Sequence, residues 1–146
     1  MSRDADPTAV MNSSALFAAL PVTSPYIRVG SATNCGGYAG VRISLAVADG
    51  YELVNVAPPR EDRWRDPEWT AEAAEETGDG VVAELVDLFG ELPAVRVTVL
   101  ELLADPLGTS PMNRLAGRYA LRQSLHDAGL PVAAPEPYQG YRVIRP

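Results

Sequence analysis

The side chains best suited to chemistry are scarce in this chain. Cys35 is the only cysteine and His126 the only histidine among 146 residues. A single cysteine excludes an intramolecular disulfide and argues against a cysteine-based zinc site. Cys35 could act as a nucleophile with His126 as its base, but nothing in their separation requires that pairing. We expect Cys35 to be an inert residue of a glycine-rich loop, and His126 to stabilise a helix C-terminus through the helix dipole.

An acidic group in the middle of the chain contains Glu72, Glu75, Glu76 and Asp79. The Asx-x-Asx spacing of calcium loops is absent from it, so a solvated helix face is the better interpretation. Arg114, Arg118 and Arg122 recur every four residues and form one stripe on a predicted helix. This stripe could bind phosphate or pair with the acidic helix, and we expect the pairing. We therefore predict no metal site and no cofactor.

Two turn-rich segments offer polar side chains and flexible backbone for contact with a partner. Their candidate contact residues are Asn34, Cys35, Gly36, Gly37, Tyr38, Asp105, Thr109 and Ser110. Turn residues are often only turns, so a contact surface and a simple pair of turns both stay open as interpretations.

A second candidate surface lies in and just after the proline- and charge-rich connector at residues 58–68. Trp64 and Trp69 flank Arg65 there, and Trp–Arg groups are common at protein interfaces. The alternative is that the indoles fold back onto the core, because tryptophans are mostly buried. We expect one indole to be buried and the other to belong to a partner patch.

Composition limits the class of partner. The formal net charge is -7, and all 12 basic residues are arginine. A broad phosphate-binding surface is therefore disfavoured, although a local arginine patch is compatible with this charge. No apolar run is long enough to cross a bilayer or to form the core of a signal peptide. We expect a cytoplasmic protein with one compact domain.

Hydrophobic alternation predicts the strands that position these residues. Residues 1–14 are polar and are typical of a flexible N-terminal arm. Strand patterns follow at residues 26–31, 40–48 and 51–57, and the Asp49-Gly50 turn favours a short antiparallel meander.

Helix signals follow the connector. Pro67 suits the first position of a helix, and Gly90 suits its end. The Gly78-Asp79-Gly80 step predicts that this helix kinks or restarts. The apolar residues expected to face the sheet are Val81, Leu85, Leu88 and Phe89.

A further strand and helix complete the domain. The strand residues with one buried face are Val95, Val97 and Val99. Thr109 or Ser110 can cap the next helix, in which Pro111 takes the first position. We expect the domain to span residues 15–130, followed by a C-terminal tail at residues 131–146 with one further strand at YRVI. The order β-β-β-α-β-α predicts an α+β fold with two helices on one face of the sheet.

Three segments share their order and spacing with one known family. Gly36–Val47 reads GGYAGVRISLAV, a glycine-rich loop with a tyrosine that runs into an alternating strand. Tyr51–Asn55 reads YELVN, a specific signature of the next strand. The third segment joins VRVTV to the Thr109-Ser110 pair, a methionine and the Ala116-Gly117 step. Together they resemble domain IV of elongation factor G, the bacterial translocation factor of protein biosynthesis, over roughly residues 26–128.

The resemblance implies a ribosomal protein S5 domain 2-like fold. In the translocation factors, two loops at the tip of this domain reach the decoding centre of the ribosome beside transfer RNA. The acidity of the chain agrees with that role, because the family's domain imitates a transfer-RNA arm in shape and charge. The resemblance thus implies a stand-alone, non-catalytic binding module in translation, with the ribosome, an RNA or a protein as partner and no membrane contact.

The chain also departs from the family at three places. It lacks the GxxxxGK[ST] phosphate loop, so it cannot hydrolyse GTP in the family's way. Cys35 stands in the first tip loop where the family usually has a basic residue. Asp105, or a residue next to it if the register differs by one, stands where the family has a histidine. The connector with Trp64 and Trp69 is longer than in the family.

Two alternatives use the same residues differently. A small-molecule enzyme or pathway subunit reusing the S5-like fold would need a concave pocket at the tips, lined by Cys35, Asp105, Thr109 and Ser110. A structural subunit would instead dock through the connector or through an unpaired strand at residues 138–146, which could also join two copies into a homodimer. The sequence supplies no spaced acid–base pair, so we expect the binding module.

Overall fold

One mixed sheet carries the fold, with its helices packed on one face. The computed structural model describes residues 10–30, 38–58, 67–103, 109–136 and 142–144. Along the chain the elements are α1 (Ser13–Ala19), β1 (Val22–Thr23), β2 (Tyr26–Gly30), β3 (Tyr38–Val47), β4 (Glu52–Asn55), α2 (Pro67–Phe89), β5 (Val95–Leu103), α3 (Ser110–Asp127) and β6 (Arg142–Ile144). The predicted α+β class, with the two long helices on one face, is confirmed.

The strand order differs from the predicted meander. The order is β4-β5-β3-β2-β6, and the short β1 pairs with β3 beside β2. β4 does not pair with β3; instead it lies at the sheet edge, parallel to β5. The reason is the crossover through α2, since a helix that packs on one face returns the chain parallel to the strand it left. The nine-residue β5 thereby lies inside the sheet, between β4 and the ten-residue β3.

The core forms where alternate strand residues meet the helical layer. The predicted strand residues Val95, Val97 and Val99 are fully buried, which confirms the period of two. Their neighbours on β2 and β3, such as Ile27 and Ile43, are fully buried as well. The register of β5 shifts by one residue between Arg42 and Ile43 of β3, which marks a β-bulge.

α2 continues through its glycines and does not restart. It runs without interruption from Pro67 to Phe89. The glycines are needed for packing, because a Cβ on Gly80 would lie 1.9 Å from the carbonyl oxygen of Arg114 on α3. The predicted face is confirmed: Val81, Leu85 and Phe89 are buried, and Leu88 packs against the core. Gly90 ends the helix with a φ of 80°, as its type predicts.

The N-terminal cap of α3 also follows the prediction. Thr109 is the N-cap, and its side chain accepts a hydrogen bond from the backbone N–H of Met112 at 3.4 Å. Pro111 is the second helical residue, one position later than predicted, because the helix already begins at Ser110; a missing N–H costs nothing in this first turn either.

Both ends of the chain add elements to the predicted core. α1 takes up the last residues of the predicted arm, and its Leu16 is fully buried. Just before it, Met11 donates a hydrogen bond to the carbonyl oxygen of Leu88 at 2.8 Å. The predicted last strand is present as β6, but it is not unpaired, because it adds antiparallel to β2. Among the described residues, no helix is long and apolar enough to cross a membrane.

Candidate contact surface

The two predicted tip loops leave the sheet at the same end. Gly30 pairs with Tyr38 where β2 turns into β3, and Gly40 pairs with Leu103 where β5 ends. Thr109 and Ser110 follow at the start of α3. We call this the loop end, defined by Gly30, Tyr38, Leu103 and Thr109.

Only part of the predicted contact group can be placed at this end. Tyr38, Thr109 and Ser110 are described. The remaining members lie outside the described residues: Asn34, Cys35, Gly36, Gly37 and Asp105. For the partner patch, Trp64 and Arg65 also lie outside them, and Trp69 is described only as backbone of α2.

Ser110 joins the two long helices at the loop end. Its hydroxyl donates a hydrogen bond to Oε2 of Glu76 on α2. Asn113 donates from Nδ2 to Oε1 of the same carboxylate, at 2.8 Å. Glu76 was predicted on a solvated helix face, but it spans the contact between α2 and α3. The signal for this role was the Ser-x-x-Asn spacing, which places both donors on one helical face.

The charge state of Glu76 follows from these contacts. Burial raises the pKa of Glu76, but hydrogen bonds from Ser110 and Asn113, together with the charge of Arg114, lower it by more. The net pKa lies below the usual value of a glutamate. A carboxylate held ionised in this way is a poor proton acceptor, so the Ser110–Glu76 pair is suited to structure rather than to general-base catalysis.

The acidic group has three further members, and all of them are exposed: Glu72, Glu75 and Asp79. Asp79 lies close to Tyr51: burial raises the pKa of that phenol, and the charge of Asp79 raises it further. Within the described ranges, no group of three or more His, Cys, Asp or Glu side chains could hold a metal ion.

Two arginines of the predicted stripe, Arg118 and Arg122, pair with α2 as expected, and the charge of Arg114 acts on Glu76 of the same helix. Arg118 contacts Glu84 at 3.0 Å and Asp87 at 2.6 Å. Arg122 contacts the second oxygen of Glu84 at 2.6 Å. The sequence pattern indicated that the stripe pairs with α2, but it did not indicate that Glu84 and Asp87 are the residues that form the ion pairs. Glu84 stands between the buried Val81 and Leu85, a position at the edge of the buried helix face that could have identified it.

His126 lies in the last turn of α3, where its predicted interaction with the helix dipole is available. Its Nδ1 is 2.8 Å from the carbonyl oxygen of Val132. The ring therefore also fixes the start of the C-terminal tail against α3.

Arg28 is a candidate that sequence reasoning missed. Its guanidinium carbon lies 5.0 Å from the centre of the Tyr38 ring, within the range of a cation–π interaction. Its Nε is buried without a hydrogen-bond partner in the described part of the chain. The available signal was its position between two buried strand residues, Ile27 and Val29, which turns Arg28 to the opposite face of the sheet.

The comparisons with known proteins give the fold and no family. No protein-family model matches the chain, and no curated protein matches it. A crystal structure of a protein from Thermus thermophilus is similar, with a TM-score of 0.53 and 12% sequence identity over 74% of this chain. The match covers 16% of that much larger chain. The present chain thus shares its α+β fold with part of a longer protein.

Proposed function

We propose that this chain is a non-catalytic binding module related to domain IV of elongation factor G, and that its loop end contacts the ribosome. The observation that carries the proposal is that the described residues flanking both tip loops, Gly30, Tyr38 and Leu103, lie at one end of the sheet. In the family that the sequence resembles, this end is the part that meets the decoding centre. The chain has no phosphate loop for GTP, so any contact with the ribosome is a binding event without GTP hydrolysis by this chain.

The loop anchors support this role because they are held firmly. The Gly30–Tyr38 pair closes the β2–β3 hairpin, and β5, which precedes the second loop, is held between β3 and β4. On the far side of that loop, Thr109 caps α3 and Ser110 is bonded to Glu76. Loops on a rigid scaffold present contact residues at a low cost in conformational entropy.

The same contacts weigh against the enzyme alternative. Two of its four pocket residues, Thr109 and Ser110, use their hydroxyls in the helix cap and in the bond to Glu76. Within the described ranges, the acid that Ser110 contacts is Glu76, and the lowered pKa of that carboxyl makes it a weak activating base.

Sedimentation tests the proposal. We expect tagged full-length chain to move with ribosomal particles in a sucrose gradient at low salt. Replacing residues 104–108 by a Gly-Ser segment of equal length should abolish that co-sedimentation, because it removes the contact side chains of one tip loop. The control is Leu92→Ser, an exposed position before β5 and therefore at the opposite end of the sheet.

The result that overturns the proposal is a wild-type chain absent from every ribosomal fraction at low salt. Equal co-sedimentation of the wild type and the loop variant would refute the role of the loop end.

A further inference from the structure

The sheet face opposite the long helices carries a small aromatic and cationic surface. Ile27 and Val29 of β2 are fully buried toward the core, so Tyr26 and Arg28, which alternate with them, lie on the other face. Arg28 is in register with Gly40 of β3, and Tyr38 lies two residues before Gly40 on the same face. We call these four residues, Tyr26, Arg28, Tyr38 and Gly40, the Arg28 surface.

Gly40 forms the floor of this surface. A Cβ at Gly40 would lie 2.2 Å from the hydroxyl oxygen of Tyr26 and 3.3 Å from Cγ of Arg28. Both side chains therefore lie across the glycine backbone. The guanidinium group of Arg28 reaches the ring of Tyr38. The three side chains are half-buried, so each keeps part of its surface open to solvent.

The electrostatics of Arg28 set it apart from other arginines on the same face. Arg42 contacts Glu101 at 3.3 Å, and Arg96 contacts Glu52 at 3.1 Å. Arg28 has no acidic partner among the described residues, and Arg142 of β6 stands opposite it in the strand register. In a chain with a formal net charge of -7, Arg28 is thus a positive charge without an ion pair in the part of the chain that the structure describes.

We propose that the Arg28 surface binds single-stranded nucleic acid, with Arg28 contacting a phosphate and the Arg28–Tyr38 pair stacking on a neighbouring base. Planar guanidinium and phenol groups stack on any base, and a guanidinium also suits phosphate. In a duplex the base faces are stacked on one another and cannot contact the two side chains. An acidic peptide could pair with the charge of Arg28 but has no base to stack on the Arg28–Tyr38 pair. This proposal shares Tyr38 with the loop end, but it does not rest on the ribosomal contact, because it uses no residue of the loop segments 31–37 and 104–108.

The acidity of the whole chain limits the footprint to a few nucleotides. Each neutralised phosphate contributes about -0.7 to the slope of log affinity against log salt for a single strand. We therefore expect a shallow salt dependence, corresponding to roughly one or two phosphates.

Fluorescence anisotropy of a labelled ten-nucleotide single strand, titrated with the full chain at low salt, tests the proposal. RNA and DNA versions of one mixed sequence identify which polymer is preferred. Arg28→Gln should weaken binding about tenfold, a typical loss for one stacking and phosphate contact. Arg42→Gln is the matched control, since it makes the same charge change on the same face but removes an already paired arginine; its affinity should stay within about twofold.

A second pair of variants separates stacking from charge. Tyr38→Leu should weaken binding about tenfold, whereas Tyr38→Phe keeps the ring and should bind like the wild type. Thermal unfolding followed by circular dichroism checks that every variant is folded as the wild type is.

Arg28-dependent binding of either oligonucleotide supports the proposal. It is overturned if neither strand binds, if Arg28→Gln and Arg42→Gln lose affinity equally, or if an acidic peptide binds with equal strength and the same dependence on Arg28. The variant with residues 104–108 replaced should keep oligonucleotide binding even where it loses the ribosome, so the two proposals fail separately.

Discussion

Glu84 shows at the scale of one residue how α2 and α3 are joined. Its side chain is 5% exposed and bridges Arg118 and Arg122. The nearby Asp87 is 60% exposed and, among the described residues, pairs with Arg118 alone. A buried charge that loses its partners is costly, while an exposed ion pair contributes little.

Replacing Glu84 by Gln should therefore destabilise the protein by about 2 kcal/mol, because two partly buried arginines lose their shared carboxylate. The matched change Asp87→Asn should cost less than about 1 kcal/mol. Urea unfolding at neutral pH measures both. Equal losses would show that the burial of Glu84 does not matter.

Glu76 gives the protein an acid-sensitive contact. Its pKa in the folded state is lowered, so its contribution to stability is fully present above the unfolded-state pKa and is lost as the pH falls through the folded-state pKa. We expect the Glu76→Gln variant to show a flatter dependence of unfolding free energy on pH in the acid range than the wild type. Glu72→Gln, an exposed glutamate of the same helix, is the control. A wild-type slope in the Glu76 variant would contradict the assignment.

Glycine contacts decide the packing at the scale of elements. A Cβ on Gly117 of α3 would lie 2.1 Å from the carbonyl oxygen of Thr77 on α2, and Gly80 meets the backbone of α3 in the same way. Glycines inside helices ordinarily weaken them, and here the loss is offset by close helix packing. Gly80, from which the sequence predicted a kink or restart of α2, is instead the residue that allows α2 to contact α3 closely.

Gly117→Ala should destabilise the protein by about 1–3 kcal/mol, since a backbone carbonyl cannot move aside as a side chain can. The gain in helix propensity, about 1 kcal/mol, is not enough to reverse the sign. Gly50→Ala is the control, because nothing lies within 4 Å of a Cβ there. Thermal unfolding compares them, and an unchanged midpoint for Gly117→Ala would rule out the close contact.

The whole molecule presents β6 at one edge of its sheet. β6 pairs with β2 on its inner side, and among the described residues no strand pairs with its outer side. An exposed edge is a template for another strand. A homodimer through the C-terminal strand, an alternative that the sequence leaves open, therefore requires pairing along the outer edge of β6, not the exchange of an unpaired strand.

Light scattering over a range of concentrations tests that prediction. We expect a mass that rises above the 15.6 kDa of one chain as the concentration increases. A constant mass of one chain at every concentration would remove the homodimer.

Local patterns in the sequence predicted much of the structure, because they record local physics. The alternation of Val95, Val97 and Val99 predicts a buried strand face, and Thr109 satisfies a free backbone N–H at the start of α3. The four-residue spacing of Arg118 and Arg122 predicts that both lie on one face of a helix. None of these conclusions depends on which elements are neighbours in space.

Only the tertiary structure decided which distant elements meet. It placed β5 between β3 and β4, set Gly80 and Gly117 against backbone, and brought Glu76 to Ser110. It also left Arg28 beside Tyr38 without an acidic partner in the described residues. The physical reason is that strand order, helix crossing and charge pairing depend on how much surface is buried in the whole fold, a quantity that no local window of sequence contains.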